Sequence, residues 1–380
     1  MEPHVYYKNL PLHTIQRRLP TFPFDSHVEG QRFKLLTCKI RKLRRQSTQI
    51  RMKVSLTDGI EAPVSNRHIF IFGMGFVGQY LAEQLKNKGW RVSGTCTSEE
   101  KRKLLEEKGY DAFLFKAEDT LQELKLAGVR ALYDATHIMN SIPPSIEARK
   151  DPVIFQLGQI LRQAIVNGNI CWLGYLSSTR LYGHWGGDWV DEDSPAKSED
   201  KISLARLDAE KAWIILGKNM GVPTQVFRLG GIYGPGRSAL DTIIKQKHQE
   251  LSRSQKARRL NYYTSRIHVA DICQAILASI EQPSAGKVYN VVDDDPAPRA
   301  EVFSYALSLL ETKWPGNKWE AVESGTSTGD IFGEVNCFMN ISEKRVSNRR
   351  LKEELKVKLL YPSYRSGLKS IIKSMDSLPF

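Results

Sequence analysis

The pattern of apolar and polar residues predicts strands and helices that alternate along the body of the chain. A short apolar run from His68 is rich in β-branched and aromatic residues, which is typical of a buried strand, and Val77, Leu81 and Leu85 then recur at helical spacing. The alternation continues with predicted strands at 90–98, 112–115, 131–139 and 170–176 and predicted helices near 104–105, at 120–126 and at 152–167. This order predicts a parallel sheet covered by helices on both faces.

Three glycines separate the first predicted strand from the first predicted helix. In such a unit the first glycine permits the turn, the second lets a pyrophosphate approach the main chain, and the third lets the helix pack on the strand. The free amides at the helix start would then face the phosphates. The spacing predicts a dinucleotide-binding loop of Gly73, Gly75, Phe76, Val77 and Gly78, with a glycine-rich turn that binds nothing as the alternative.

The end of the second predicted strand would face the adenosine ribose of such a ligand, where an Asp or Glu favours NAD. No acid stands at this tip, which holds hydroxyl residues and then two glutamates and two cations. Hydroxyls with nearby cations suit a 2′-phosphate better than a free diol, although the glutamates oppose it. We therefore expect NADP rather than NAD, bound by Thr97, Ser98, Lys101 and Arg102.

Motifs further along the chain resemble those of the NAD-dependent epimerase/dehydratase family, the extended and atypical short-chain dehydrogenase/reductases. They are Leu176-Ser-Ser178-Thr-Arg-Leu-Tyr182-Gly183, Trp189-Val-Asp191-Glu192 and segments 228–237, 266–271 and 288–290. The resemblance implies a Rossmann-type α/β fold, a doubly wound parallel sheet with a small C-terminal lobe that closes over a substrate, commonly a nucleotide sugar. We expect a basic leader at 1–62, an NAD(P)-binding Rossmann domain at 66–235, and the rest of the sheet with the lobe at 236–380.

The family's catalytic pair, a Tyr followed four residues later by a Lys, is absent from this sequence. The resemblance places Ile202 and Arg206 at those positions, and Ser178 where the family has the Ser or Thr that holds the substrate hydroxyl. Isoleucine has no proton to move, and arginine cannot be deprotonated to tune a neighbour. We therefore expect catalysis by Ser178, Arg206 and Tyr182, with Tyr182 as a displaced base whose pKa is lowered by nearby cations. Arg206 should also contact the cofactor ribose.

Other residues are candidates by type or by position. Tyr233, Tyr262, Tyr263 and His268 could act as bases, with packing or substrate contact as the alternative for each. Arg237 and Arg266 match positions that contact substrate phosphates in relatives, with solvated surface cations as the alternative.

Three classes of function follow. The first is an oxidoreductase or epimerase that acts on a nucleotide sugar or related metabolite through a displaced base. The second is an NAD(P)-binding sensor or scaffold without turnover. The third is plastid RNA binding, through a basic run beside aromatic residues: Lys245, Lys247, Arg253, Lys256, Arg258, Arg259, Tyr262 and Tyr263.

The distribution of charge makes a nucleic-acid partner the least favoured of these. Residues 1–57 hold twelve Lys and Arg against three acidic residues, a net charge of +9, which leaves only +4 of the total +13 for the remainder. The leader is Arg-rich, poor in acids and without a secretory apolar core, which is typical of an organelle transit peptide. We expect a chloroplast location, with a mitochondrion or a retained cytoplasmic tail as alternatives.

Cysteines and apolar runs indicate what the chain lacks. The five cysteines lie far apart without metal-ligand spacing, so we expect no metal site and no disulfide, only buried small apolar residues: Cys38, Cys96, Cys171, Cys273 and Cys337. No apolar run is long enough to cross a bilayer, so we expect no membrane partner. The sequence leaves the substrate and the oligomeric state open.

Overall fold

The structure, a computed structural model, describes residues 67–116, 124, 126–245, 263–317, 319 and 343–377. Its strands are β1 His68–Phe72, β2 Arg91–Cys96, β3 Asp111–Leu114, β4 His137–Asn140, β5 Trp172–Ser178, β6 Trp189–Val190, β7 Thr224–Leu229, β8 Gly231–Tyr233, β9 Arg266–His268, β10 Lys287–Val291 and β11 Arg345–Val346. Its α-helices are α1 Phe76–Asn87, α2 Glu99–Glu107, α3 Leu126–Asp134, α4 Pro152–Asn167, α5 Lys201–Met220, α6 Ala239–Lys245, α7 Val269–Glu281, α8 Arg299–Lys313, α9 Arg349–Leu355 and α10 Tyr364–Lys373.

Seven strands form one sheet in the order β10-β7-β5-β4-β1-β2-β3, and every pair is parallel. Helices α1 and α7 pack on one face of the sheet, and α4 and α5 pack on the other. Because both faces are covered, all five residues of β1 are buried, which explains its continuous apolar run. The predicted Rossmann-type doubly wound sheet is confirmed.

One predicted strand was partly wrong. The sequence predicted a strand at 131–139, but α3 continues to Asp134 and β4 begins only at His137. Ala131 and Leu132 are buried on the inner side of α3, and a short apolar run has no period that separates a buried helix from a buried strand. By contrast, α4 has its predicted span, because Asp151 caps its first turn by accepting a hydrogen bond from the Ile154 amide at 2.9 Å.

A further apolar core lies in the C-terminal part of the chain. Helices α6, α8 and α10 build it around Leu240, Phe303 and Leu368, and Tyr233 of β8 joins it. This cluster corresponds to the small lobe that the resemblance implied.

The described cysteines differ in exposure. Cys96 and Cys273 are buried as expected, whereas Cys171 is exposed, and Cys38 and Cys337 lie outside the described residues. Within the described ranges no group of three or more His, Cys, Asp and Glu residues could hold a metal ion. No helix in the same ranges is long and apolar enough to span a membrane.

Two buried histidines should make the folded protein less stable in mild acid. His137 packs between Trp90 and Trp172, His268 caps α7, and burial lowers the pKa of each from 6.5 to about 4. Between these values the unfolded chain binds protons that the folded protein excludes, so the free energy of unfolding decreases as the pH falls from about 6.5 to about 4. The loss is on the order of 3 kcal/mol per histidine. Urea unfolding across this range should show the decrease and His137→Gln should reduce it, whereas equal pH dependence in both proteins would contradict the prediction.

Candidate active site

The glycine loop joins β1 to α1 at the carboxyl edge of the sheet. Gly73 has a φ of +88°, in a region that other residues rarely adopt. Thr95 of β2 accepts a hydrogen bond from the Gly73 amide at 2.9 Å, and Ser141, just after β4, donates to the Gly73 carbonyl oxygen at 2.6 Å. Both strands that flank β1 therefore hold the loop, through two hydroxyls that sequence reasoning missed.

The other two glycines meet different constraints. A Cβ at Gly78 would lie 2.4 Å from the Gly73 carbonyl oxygen, so α1 can pack against the loop only without a side chain there. A Cβ at Gly75 would meet no atom within 4 Å, and its φ of −79° is open to any residue. The fold therefore requires glycine at 78 but not at 75. The open space beside Gly75, at the positive end of α1, fits the pyrophosphate of a dinucleotide.

The remaining loop residues serve the core and the surface. Val77 is buried in the sheet core, whereas Phe76 is half-buried. Arg237, on the loop after β8, is exposed, and its guanidinium carbon lies 5.5 Å from the centroid of the Phe76 ring. Its side chain forms no hydrogen bond or ion pair with a described residue. A free cation thus lies near the start of α1, where it could contact a phosphate.

Arg266 does not occupy a comparable position. Its Nη1 donates to the carbonyl oxygens of Thr264 and Ala297 at 2.7 and 2.8 Å, and its guanidinium carbon lies 5.9 Å from the Tyr364 ring centroid. Burial lowers the pKa of Arg266. Two backbone carbonyls hold Nη1 of this guanidinium, and the contact with a substrate phosphate stays a prediction.

The residues after β2 are only partly available to a ligand. Ser98 caps α2, and its Oγ accepts a hydrogen bond from the Lys101 amide at 3.3 Å. Arg102 is held by the glutamates three residues before and four residues after it, each at 2.6 Å. Thr97 is exposed, and the half-buried Lys101 side chain has no ion pair in the described part of the chain. Of the four predicted contacts, Thr97 and Lys101 make no side-chain hydrogen bond or ion pair with a described residue, whereas Ser98 caps α2 and Arg102 is held by two glutamates.

Ser178 is the last residue of β5 and is half-buried beside a 3₁₀ turn, Thr179–Tyr182. Its Oγ accepts a hydrogen bond from the Arg180 amide at 3.2 Å, so its own proton remains available for a bound group. Thr179 donates to the Leu229 carbonyl oxygen at 3.3 Å and fixes the turn against β7.

Tyr182 is buried inside this turn. Its hydroxyl donates to Asn290 Oδ1 at 2.8 Å and accepts from Arg228 Nη1 at 2.9 Å, and Arg228 makes a buried ion pair with Glu210 at 2.8 Å. Burial raises the pKa of Tyr182 to about 12, although Arg228 opposes the shift. The prediction that cations lower this pKa is therefore wrong, and the phenol instead ties β5, β7 and β10 together.

The other candidate bases are also engaged in packing. Tyr233 lies in the lobe core, where its hydroxyl donates to a backbone carbonyl at 3.4 Å and burial raises its pKa. His268 accepts an amide hydrogen bond through Nδ1, and its ring centroid lies 4.1 Å from that of Tyr361. The centroid of the Tyr263 ring lies 4.8 Å from the guanidinium carbon of Arg345, and Tyr262 is outside the described residues.

Ile202 and Arg206 lie one turn apart near the start of α5, and both are half-buried. The helix begins at Asp200, whose carboxylate accepts hydrogen bonds from two backbone amides. Burial alone would raise the pKa of Asp200, but hydrogen bonds from two serine hydroxyls lower it to about 2. Arg180 reaches the same carboxylate at 3.4 Å, which joins the turn after β5 to the start of α5.

Two cationic side chains, Arg206 and Lys344, lie on elements that contact this turn. Helix α5 packs against it, and the Arg206 side chain forms no hydrogen bond or ion pair with a described residue. Lys344, which sequence reasoning missed, is buried with its Nζ 3.1 Å from the Gly183 carbonyl oxygen. Burial, together with the charge of Arg180, lowers the pKa of Lys344 to about 8. The elements that contact the turn after β5 therefore carry cationic side chains.

Residues 69–292 match the model of the NAD dependent epimerase/dehydratase family. The chain belongs to this family. Among curated relatives, protein YeeZ of Escherichia coli (strain K12) is 25% identical over 260 residues, which cover 68% of this chain and 89% of that protein. The 4-hydroxy-2-methyl-3-oxo-4-farnesyl-3,4-dihydroquinoline-1-oxide ketoreductase of Stigmatella aurantiaca is 25% identical over 248 residues, which cover 63% of this chain and 71% of that protein.

Solved structures share the fold of this epimerase/dehydratase family member. A functionally unknown conserved protein from Silicibacter pomeroyi matches with a TM-score of 0.62 and 31% identity, over 82% of this chain and 100% of that one. The dTDP-glucose 4,6-dehydratase of Bacillus anthracis, solved in complex with NAD, matches with a TM-score of 0.60 and 17% identity, over 81% of this chain and 96% of that one. At that identity the second likeness concerns the fold alone.

Substitution of Gly75 should separate cofactor binding from folding. Gly75→Val fills the space that fits the pyrophosphate, so it should abolish NADP or NAD binding and leave the thermal midpoint near that of the wild type. Gly78→Ala forces a Cβ against the Gly73 carbonyl oxygen, so it should lower the midpoint by several degrees. Calorimetric titration and thermal unfolding measure the two effects, and unchanged affinity in Gly75→Val would rule out the glycine loop as the binding site.

Removal of the Tyr182 hydroxyl should destabilise the protein. Tyr182→Phe removes the hydroxyl that bonds Asn290 Oδ1 and Arg228 Nη1 and leaves these two buried atoms unpaired, which costs about 1–3 kcal/mol. Tyr133→Phe is a matched control, because its hydroxyl donates a hydrogen bond of 3.0 Å to Gln163 at the surface, and its loss should stay within about 0.5 kcal/mol. Urea unfolding of both variants makes the comparison, and equal losses would contradict a stabilising buried network.

Proposed function

We propose that this protein is an NAD(P)-dependent oxidoreductase or epimerase that acts on a small-molecule substrate. The observation that carries the proposal is the open space beside Gly75, in a loop whose other two glycines the fold itself requires. A stable fold alone gives no reason for a glycine at this position, whereas a bound pyrophosphate does. Family membership over residues 69–292 supports the same conclusion.

The residues present can each take a part in binding. The amides at the start of α1 would hold the pyrophosphate, with Arg237 as a counter-charge. Arg206 would hydrogen-bond the nicotinamide ribose, and Ser178 would donate its free proton to a substrate oxygen. The bound nicotinamide cofactor would accept or supply a hydride.

NADP is the cofactor that we propose. The end of β2 carries no carboxylate for the ribose diol, and Thr97 and Lys101 are free to meet a 2′-phosphate. Arg102 is left out of this set, because its guanidinium is held by two glutamates. The same glutamates lower the local positive charge, so we expect a modest preference.

Two substrate classes follow from the sequence motifs and the comparisons. A nucleotide sugar is the class that the resemblance of the sequence motifs implies, and a ketone is supported by the curated ketoreductase. A cofactor-binding sensor or scaffold without turnover is the second candidate function, favoured by Ile202 at the position of the family's base. The RNA-binding alternative depends on residues 245–263, of which 246–262 lie outside the described residues.

Cofactor titration and a turnover assay test the proposal. The full chain should bind NADPH more tightly than NADH, Lys101→Ala should remove the difference, and Arg102→Ala should leave it unchanged. Hydride transfer is then followed with UDP-glucose, UDP-glucuronic acid and a series of ketones. Binding of NADH at least tenfold tighter would refute the NADP proposal, and tight binding without turnover would favour the sensor or scaffold.

We also propose that residues 1–62 direct the protein to the chloroplast, on the composition of that segment. Residues 1–62 fused to a fluorescent reporter should enter plastids, and the chain without them should remain in the cytosol. Reporter fluorescence in mitochondria or in the cytosol would overturn this location.

A further inference from the structure

A buried carboxyl group lies beyond the end of β10, where the sheet meets the small lobe. Asp293 is 1% exposed, and neither of its carboxyl oxygens accepts a hydrogen bond of ordinary geometry from a described residue. Its backbone is held, because the Asp293 amide donates to the Arg266 carbonyl oxygen of β9 at 2.6 Å. A buried polar side chain without a partner costs free energy, so packing alone does not explain this aspartate.

The loop that carries Asp293 joins the sheet to the lobe. It begins after β10 and ends at α8, which contributes to the lobe core. Along this loop the Asp294 amide donates to the Pro362 carbonyl oxygen at 2.9 Å, just before α10, and Ala297 exchanges two backbone hydrogen bonds with Thr264. A displacement of the lobe would break these contacts and would bring water to the Asp293 carboxyl.

The other acidic side chains of this junction have cations as partners. Asp294 pairs with Lys352 of α9 at 2.5 Å, and Arg365 of α10 pairs with both Asp295 and Glu301 of α8. The side chains of these three acids are also partly exposed to solvent. The buried carboxyl beyond β10 has neither advantage, and the two aspartates that follow it add negative charge nearby.

The guanidinium of Arg266 faces Asp293 without bonding its carboxyl oxygens. Two backbone carbonyls hold its Nη1, and its guanidinium carbon lies 5.9 Å from the Tyr364 ring centroid of α10. Burial and then the charge of Asp293 raise the pKa of the Tyr233 phenol on β8. Burial raises the pKa of Asp293 itself well above 3.8, although the charge of Arg266 and the Asp295 amide oppose the shift. A neutral acid is the form that such surroundings favour.

We infer that opening of the lobe releases one proton, from Asp293, so that the lobe opens more readily as the pH rises. In the closed protein the carboxyl is a neutral acid. Once water reaches it, the O–H bond breaks, the electron pair stays on the carboxylate and the proton goes to the solvent. The open form then binds one proton fewer than the closed form. Above the ordinary pKa of 3.8, the ratio of open to closed molecules therefore increases by up to about tenfold per pH unit, until Asp293 ionises in the closed form as well.

Neither a cofactor nor a substrate enters this device, so it goes beyond the proposed function. Ligands of open parallel sheets bind in the crevice at the carboxyl edge of the strands, which is the edge at which Asp293 lies. A change in pH would therefore alter how often this crevice is open without a change at any residue that contacts the ligand.

Amide hydrogen exchange of the full chain tests the proton release. Protection of the α10 amides, relative to an unstructured peptide at the same pH, should decrease about tenfold between about pH 7 and about pH 8. In Asp293→Asn no proton is released, so the protection should be equal at both pH values. Asp134→Asn, which alters a 61% exposed side chain at the end of α3, should keep the wild-type decrease.

Other titratable groups are common to all three proteins and cancel in this comparison. The buried His137 and His268 have pKa values of about 4 when folded and 6.5 when exposed, so they take up protons only below this range of pH. Lys344, with its pKa lowered to about 8, would act in the opposite direction to Asp293.

Urea unfolding supplies a second measurement. The unfolding equilibrium constant of the wild type, divided by that of Asp293→Asn, should increase by up to about tenfold per unit between about pH 5 and about pH 8. At the upper end the variant should be the more stable protein, because its side chain has no proton to lose. The same ratio for Asp134→Asn should not change with pH.

The outcomes decide the inference in each case. Constant protection of the wild-type α10 amides would overturn it, even if Asp293→Asn failed to fold. A ratio of unfolding constants that does not change with pH would also overturn it, because Asp293 would then be ionised beside Arg266 in the closed protein. A decrease in protection that persists in Asp293→Asn would assign the released proton to another group and would likewise refute the role of Asp293.

Discussion

The buried ion pair between Arg228 and Glu210 determines how the two halves of the candidate site are held together. Glu210 lies on α5 and Arg228 on β7, and their side chains are 3% and 9% exposed. The same guanidinium donates to the Tyr182 hydroxyl, so it also fixes the turn that follows Ser178. Removal of one partner of such a pair leaves a buried charge and typically costs about 3–5 kcal/mol. This ion pair thus helps to set the positions of Arg206 on α5 and Ser178 on β5 without touching either, together with the contact between Arg180 and Asp200.

Much of the Rossmann frame could be predicted from the sequence, because local patterns determine it. The glycine loop, the first strand and helix α4 follow from apolar spacing and from caps that lie within a few residues, such as Asp151. The pairing of Arg102 with glutamates three and four residues away also follows from helical spacing. Arg102 was nevertheless counted among the predicted cofactor contacts, because this pairing was not considered. Such contacts need no knowledge of distant segments.

The roles that could not be predicted depend on partners far along the chain. The Tyr182 hydroxyl is held by Arg228 and Asn290, which are 46 and 108 residues away, so the burial that raises its pKa has no local signature. Lys344 lies 161 residues from the carbonyl that it contacts. Thr95 and Ser141 were missed for the same reason, because the Gly73 backbone that their hydroxyls bond lies 22 and 68 residues away. Tyr182 was predicted to be a base from its residue type and its place in the loop, whereas in the folded protein its hydroxyl belongs to a buried hydrogen-bond network.

The contrast between Gly75 and Gly78 bears on what mutation can do to this protein over time. A side chain at 78 collides with the backbone, so stability alone excludes such a change. A Cβ at position 75 would meet no atom within 4 Å, so a substitution there should not destabilise the fold. A lineage that ceased to use the ligand would therefore be free to drift at 75 while its fold persisted. The packing of the fold alone does not account for the glycine at 75 in this chain.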